Sequence, residues 1–235
     1  MEISQLDLQQ IGLHIKAEPS KEALVAFGKS LRKAFASVGF AYIKNHGVEE
    51  TLIGEAMKAS EAFFLLSSEA KEAIPRDPDV QQGYVAPGRE IFDQKEDGTK
   101  ASYEYREAFE VSRIDPNAQF PDDQVPELRP ALTNLAMATK KLSLRILKAL
   151  ALGLGLDEHL FVNCHEKTLL SPRSISKLRS IYYPPILEVD QEKGKLVRCG
   201  EHSDYGTVTF LYQDHMGGLE VRAVDNSWIE VITKL

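Results

Sequence analysis

The chain has 235 residues, 43% hydrophobic and 27% charged, with a net charge of −7. That composition supports a buried core and excludes the basic stripe that nucleic-acid binding requires. Two cysteines, Cys164 and Cys199, exclude a disulfide framework, and no apolar run approaches the ~18 residues that cross a bilayer.

The first residues, Met1-Glu2-Ile3-Ser4-Gln5, are polar with an early acid, unlike a secretory leader, and no asparagine opens an Asn-x-Ser/Thr site. A reducing, cytoplasmic setting is expected, with no membrane and no nucleic-acid partner.

In chain order, residues 3–8 read as a short strand. Ser20 reads as the N-cap of a helix whose apolar positions are Leu24, Phe27, Leu31, Phe35 and Val38. Residues 40–43 read as a strand closed by the turn Asn45-His46-Gly47, where Asn and Gly tolerate positive φ. A second helix is predicted with Ile53, Met57, Ser60 and Phe64 on one face. Residues 74–126 carry six prolines, a Gly83-Tyr84 pair and a charged stretch around 93–97, and read as irregular apart from a short strand at 107–111. The clearest helix covers about 128–152, with the stripe Leu128, Leu132, Leu135, Thr139, Leu142, Ile146 and Leu150. Gly153-Leu154-Gly155 stops it, and Asp157 is expected to cap a shorter helix through Phe161. The plain reading of these stripes is core packing.

From residue 177 the pattern changes to short strands, at 178–183, 195–199, 207–212, 219–224 and 228–232. Turns fall at Pro184-Pro185, Gly206, Gly217-Gly218 and Asp225-Asn226. Such spacing is the pattern of an antiparallel sandwich or jelly roll.

The main chemical candidate is His202-Ser203-Asp204. In an extended segment, residues i and i+2 face one way, roughly 7 Å apart at Cα. An imidazole and a carboxylate so placed form two-thirds of the two-His, one-carboxylate triad of non-haem Fe(II) sites. The tripeptide alone is short, and a surface His beside a turn-forming Asp has the same sequence.

Its surroundings are more specific. Gly200-Glu201 precedes it and Tyr205-Gly206 follows, then Gly217-Gly218-Leu219-Glu220-Val221 and Ser227-Trp228-Ile229-Glu230-Val231. Residues 199–231 resemble the isopenicillin-N-synthase-like group of Fe(II)/2-oxoglutarate-dependent oxygenases. Leu178-Arg179-Ser180-Ile181-Tyr182-Tyr183-Pro184-Pro185 is similar to that family's co-substrate strand. Gly39-Phe40-Ala41-Tyr42-Ile43-Lys44-Asn45-His46-Gly47-Val48 is similar to a stretch of its N-terminal domain. Phe63-Phe64, Glu69-Ala70-Lys71, Gly83-Tyr84 and Glu107-Ala108-Phe109-Glu110 also fit, so the resemblance spans essentially the whole chain.

The resemblance implies an α+β chain. Residues 1–120 would form an N-terminal helix/strand domain. Residues 121–235 would hold the long supporting helix and the first part of a double-stranded β-helix (jelly roll), incomplete at its C-terminus. His202 and Asp204 would ligate iron, Tyr183 would hydrogen-bond 2-oxoglutarate, and His46 would be structural. Arg179 shares the face of Ile181 and Tyr183, as a pocket residue or a solvated one. The implied reaction oxidises a small organic substrate with Fe(II), 2-oxoglutarate and O2, and gives succinate and CO2. A complete chain is expected to be monomeric.

The family pattern also needs a distal His and an Arg-x-Ser, and both fall beyond Leu235. His215 does not substitute, since an extended run from Gly206 to Gln213 carries it roughly 23 Å away. His159 and His165 read as helix-surface residues. The chain as it stands is therefore expected not to turn over unless a missing C-terminus is restored, and the alternative is an inactive fragment or isoform that binds or regulates. A zinc hydrolase on the same pair would still lack a third ligand.

Overall fold

The computed structural model describes residues 2–89, 103–171, 174–186 and 196–233. The charged stretch around 93–97 lies outside them. The element order is β1 (Ser4–Asp7), α1 (Lys21–Ser37), β2 (Ala41–Lys44), α2 (Glu50–Phe64), α3 (Ser68–Glu72), β3 (Gly83–Val85), β4 (Tyr103–Glu104), β5 (Glu107–Val111), α4 (Leu128–Gly153), α5 (Leu160–His165), β6 (Leu178–Tyr182), β7 (Leu196–Val197), β8 (Glu220–Arg222) and β9 (Trp228–Glu230). By internal contacts the chain divides into two units. One comprises 1–53, 137–166 and 210–235, and the other 54–136 and 167–209.

In the first unit β1 and β2 pair in parallel, Ser4 opposite Ala41. Ser20 caps α1 by accepting the Ala23 N–H at 3.1 Å, which satisfies an otherwise orphaned donor. Leu24, Phe27, Leu31 and Ala34 are the buried stripe of α1. Helices α1 and α4 approach so closely that a Cβ on Gly28 would strike the Ala149 carbonyl, and one on Gly153 the Gly28 backbone. Hairpin β8–β9 is antiparallel with Val221 opposite Ile229. Its Val221 and Val231 pack with Ile3 and Val38, and the Tyr42 hydroxyl accepts the Ile232 N–H at 2.8 Å. Gly217 and Gly218 take the positive φ values that the turn before this hairpin needs.

In the second unit β5 is central to a three-stranded antiparallel sheet, β3-β5-β6. Phe109 is fully buried. Its ring meets Phe63 at 4.9 Å and Phe120 at 5.2 Å between centroids, in edge and tilted geometries suited to aromatic quadrupoles.

Four sequence expectations change. The buried face of α2 is Ala56, Ala59, Ser60, Phe63 and Phe64, with Ile53 and Met57 only half-buried. Asp157 does not cap the following helix: its Oδ1 accepts the His159 N–H in the turn ahead, and the helix runs later, from Leu160 to His165. Residues 74–126 are less irregular than their prolines suggest, because β3 and β4 lie there beside β5. Residues 207–212 form no strand, since an extended run becomes a strand only with a neighbouring ladder, and none meets them among the described residues. The sheets that do form are short and separate.

Candidate metal centre

The dyad segment is anchored from the sheet side of the second unit. Glu104, at the end of β4, is 1% exposed. Its Oε2 lies 2.9 Å from Arg106 Nε, and its Oε1 accepts the Gly200 N–H at 3.3 Å. Glu104 therefore ties down the residue two before His202. Arg106 in turn stands 4.0 Å from Cys199 Sγ.

His202 Nδ1 donates to the Gly200 carbonyl at 2.8 Å, which leaves Nε2 as the ring nitrogen turned toward Asp204. Nε2 stands 3.4 Å from Asp204 Oδ1, and Thr209 Oγ1 donates to the other carboxylate oxygen, Oδ2. Each candidate ligand thus has its rear atom held and its front atom turned toward the other, an outer arrangement that fixes ligand orientation. Two donors bound at right angles to one ion, each about 2.1 Å from it, stand about 3 Å apart. The pair fits adjacent coordination positions. Among the described residues no third His, Cys, Asp or Glu joins them.

Tyr183 follows β6 and is partly exposed. Burial of its hydroxyl raises the phenol above its ordinary value, Cys199 and Glu104 add to that, and Arg106 opposes it. Burial likewise pushes the Cys199 thiol up, against Arg106. Cys199 and Cys164 are both free thiols. His46 lies outside this group: its Nδ1 accepts the Val48 N–H at 3.1 Å inside its own turn.

Arg179 is not a solvated surface residue. Its Nε donates to Glu110 Oε1 at 2.7 Å, directly across the β5–β6 pairing. Glu104, Arg106, Glu110 and Thr209 were not singled out from the sequence as site residues. A signal was present for the first three: Glu104, Arg106, Ala108 and Glu110 alternate at the period of a strand. Glu104, Arg106 and Ala108 do line one recess, with Val85, Ala86 and Gly88.

Residues 3–131 match the family described as the N-terminal region of non-haem dioxygenases in morphine synthesis, and residues 174–234 match the 2-oxoglutarate–Fe(II) oxygenase superfamily. The 2-oxoglutarate-dependent dioxygenase htyE of Aspergillus rugulosus is 30% identical over 94% of this chain and 67% of its own length. The proline hydroxylase buaE of Petromyces alliaceus has the same three figures. A full-length Neurospora crassa protein, crystallised in complex with alpha-KG, superposes with a TM-score of 0.78 at 26% identity, over 99% of this chain and 70% of that one. Across the curated relatives compared, the chain spans 57% to 68% of their length. The match over both halves joins the N-terminal turn, the buried sheet and the dyad segment in one assignment: the chain belongs to the isopenicillin-N-synthase-like non-haem dioxygenases, a family whose members use Fe(II), 2-oxoglutarate and O2.

Proposed function

We propose that this protein is an Fe(II)- and 2-oxoglutarate-dependent oxygenase of a small organic substrate, with His202 and Asp204 as iron ligands and Tyr183 as a hydrogen-bond donor to 2-oxoglutarate. The observation that carries the reading is the dyad geometry, an imidazole Nε2 and a carboxylate Oδ1 facing each other at 3.4 Å with their other atoms held by Gly200 and Thr209. Bound Fe(II), with 2-oxoglutarate and O2, supplies oxidation of a substrate C–H bond, with succinate and CO2 as co-products. The chain's own residues do the positioning. His202 presents Nε2 because Nδ1 donates to the Gly200 carbonyl, and Asp204 presents one oxygen because Thr209 holds the other. Glu104 and Arg106 fix the segment from beneath. Residues 1–120 form the N-terminal half of this reading and 121–235 the part bearing the site. A reducing, cytoplasmic setting suits the two free thiols.

Anaerobic titration with Fe(II) and 2-oxoglutarate tests this. The charge-transfer absorption of the iron–2-oxoglutarate chelate would support the oxygenase reading and overturn the expectation that this chain does not turn over. His202→Ala and Asp204→Ala should each lower Fe(II) affinity by about tenfold or more. Unchanged affinity in both variants would remove the dyad from the metal site. A second reading, a binding or regulatory protein on the same scaffold, is favoured by one observation: two ligand donors, and no third, converge among the described residues. Release of succinate from 2-oxoglutarate by this chain would exclude it.

A further inference from the structure

Hairpin β8–β9 presents an open edge. Its inner face is buried, with Val221 and Val231 packed against Ile3 and Val38. Its outer face carries Glu220, Arg222, Trp228 and Glu230, with Val224 and Ile232 at the ends, all exposed. Glu220 lies opposite Glu230, and Arg222 opposite Trp228. Two carboxylates directly opposite repel, and among the described residues no cation pairs with either. The Arg222 guanidinium donates from Nε and Nη2 to Asn226 Oδ1 at 3.1 and 2.8 Å, which orders it beside the strand. Main-chain bonds show which way each residue of β8 points. The Leu219 carbonyl accepts the Val231 N–H, and the Ala223 N–H donates to the Ser227 carbonyl, both at 2.8 Å. Residues 219, 221 and 223 therefore turn their polar groups toward β9, and Glu220 and Arg222 turn theirs away from it. Among the described residues no second strand joins β8, whereas the far side of β9 is tied to Tyr42 through the Ile232 N–H. An open edge of this kind is a template for another strand.

We propose that a second copy of this chain pairs on this edge, β8 against β8, antiparallel about a two-fold axis at Val221. In such a pair, residue i opposite j requires j opposite i. Within β8 only Glu220 and Arg222 point their main-chain groups outward, so only they can exchange hydrogen bonds. A register that sets either residue opposite its own copy brings like charges together. The register about Val221 sets Glu220 opposite the partner's Arg222, and Arg222 opposite the partner's Glu220. Each of these pairs exchanges both of its N–H···O bonds, and each joins unlike charges. The outer row then reads Glu230, Glu220, the partner's Arg222, the partner's Trp228. Each repelling Glu220–Glu230 pair thereby gains a neighbouring cation. The charges are self-complementary in one register, which selects a second copy over an unrelated strand as the occupant.

Sedimentation equilibrium of the 235-residue chain over a concentration series tests this. The mass is expected to rise from one chain to two and no further, because the pairing consumes the edge that it uses. A single chain at every concentration up to about 1 mM, or growth past two, would overturn the proposal. Glu220→Arg and Arg222→Glu each set like charges opposite in both pairs, and each should weaken the dimer by about tenfold or more. Mixing these two variants makes both pairs unlike again, so the mixture should dimerise as the parent does. A single variant that dimerises like the parent, or a mixture that stays monomeric, counts against the register. Where a variant fails to fold, amide hydrogen exchange on the parent reads the edge directly. The Glu220 and Arg222 N–H groups should exchange fast in dilute solution and slow by about tenfold or more as the dimer forms. Protection of both amides in the monomer would show that another segment of the chain covers the edge, and would overturn the proposal.

Discussion

Strand β5 and the dyad segment that follows β7 belong to the same unit but are held in opposite ways. All five residues of β5 are buried, and it has a ladder on each side, to β3 and to β6. Among the described residues, 199–209 join no ladder and are largely solvent-facing, held by contacts that include those of Glu104, the Gly200 carbonyl and Thr209. The sheet supplies a rigid floor whose order comes from burial. The candidate ligand segment supplies donors whose order is local, and a bound ion would add the constraint that the backbone does not. Changes to the floor should move stability, and changes to the segment should move metal affinity.

The largest expected effect tests the floor. Phe109→Ala removes a fully buried ring that touches Phe63 and Phe120, and should cost about 3–5 kcal/mol in urea unfolding. Lys71→Ala comes next. Its ammonium sits 2.6 Å from Glu107, which also accepts the Tyr84 hydroxyl at 2.7 Å, so removal leaves a buried carboxylate with a neutral partner only. A loss of about 3 kcal/mol is expected, and Lys71→Arg should recover part of it.

Acid should weaken the floor through Glu110. Burial pushes this carboxyl up, but the Arg179 and Lys177 charges outweigh burial and hold it below its ordinary 4.5. Its contribution to stability is therefore complete above about pH 4.5 and is lost as the pH falls through the lower folded value. Thermal melts from pH 6 to about 3 should show a shallower acid slope in Glu110→Gln than in the parent.

Thr209→Val tests the segment. It frees Asp204 Oδ2 at an exposed site, so Fe(II) affinity should fall by about tenfold while stability moves by less than about 0.5 kcal/mol. A stability loss as large as that of Lys71→Ala would break the contrast between the two regions. The smallest effect is expected at Asp122→Ala. Its pair with Arg129 at 2.6 Å is partly exposed, and its loss should cost less than about 1 kcal/mol, less still in high salt.

Much of the scaffold was legible in the sequence. The capping Ser20, the stripes of α1 and α4, the Asn45-His46-Gly47 turn and the strand at 107–111 all obey local rules, because caps, 3.6-residue periodicity and positive-φ turns depend on near neighbours. The family resemblance was carried by motifs distributed over the whole chain. Residues 207–212 show the limit of local rules: alternation is present, but a strand needs a partner, and partners are distant in sequence. The α2 face shifted for a related reason, since its tertiary neighbours, among them Phe109 and Tyr182, decided which side would be covered.

By itself the sequence determined the helices and the strand at 107–111, which follow local rules, the family, through motifs spread along the chain, and the candidate pair His202 and Asp204, two positions apart. Only the tertiary structure decided that Glu104 holds Gly200, that Thr209 holds Asp204, and that Arg76, Lys177 and Arg179 meet on Glu110. Those contacts join residues up to 96 positions apart. They exist because a sheet register and a buried carboxylate leave the charges one place to meet.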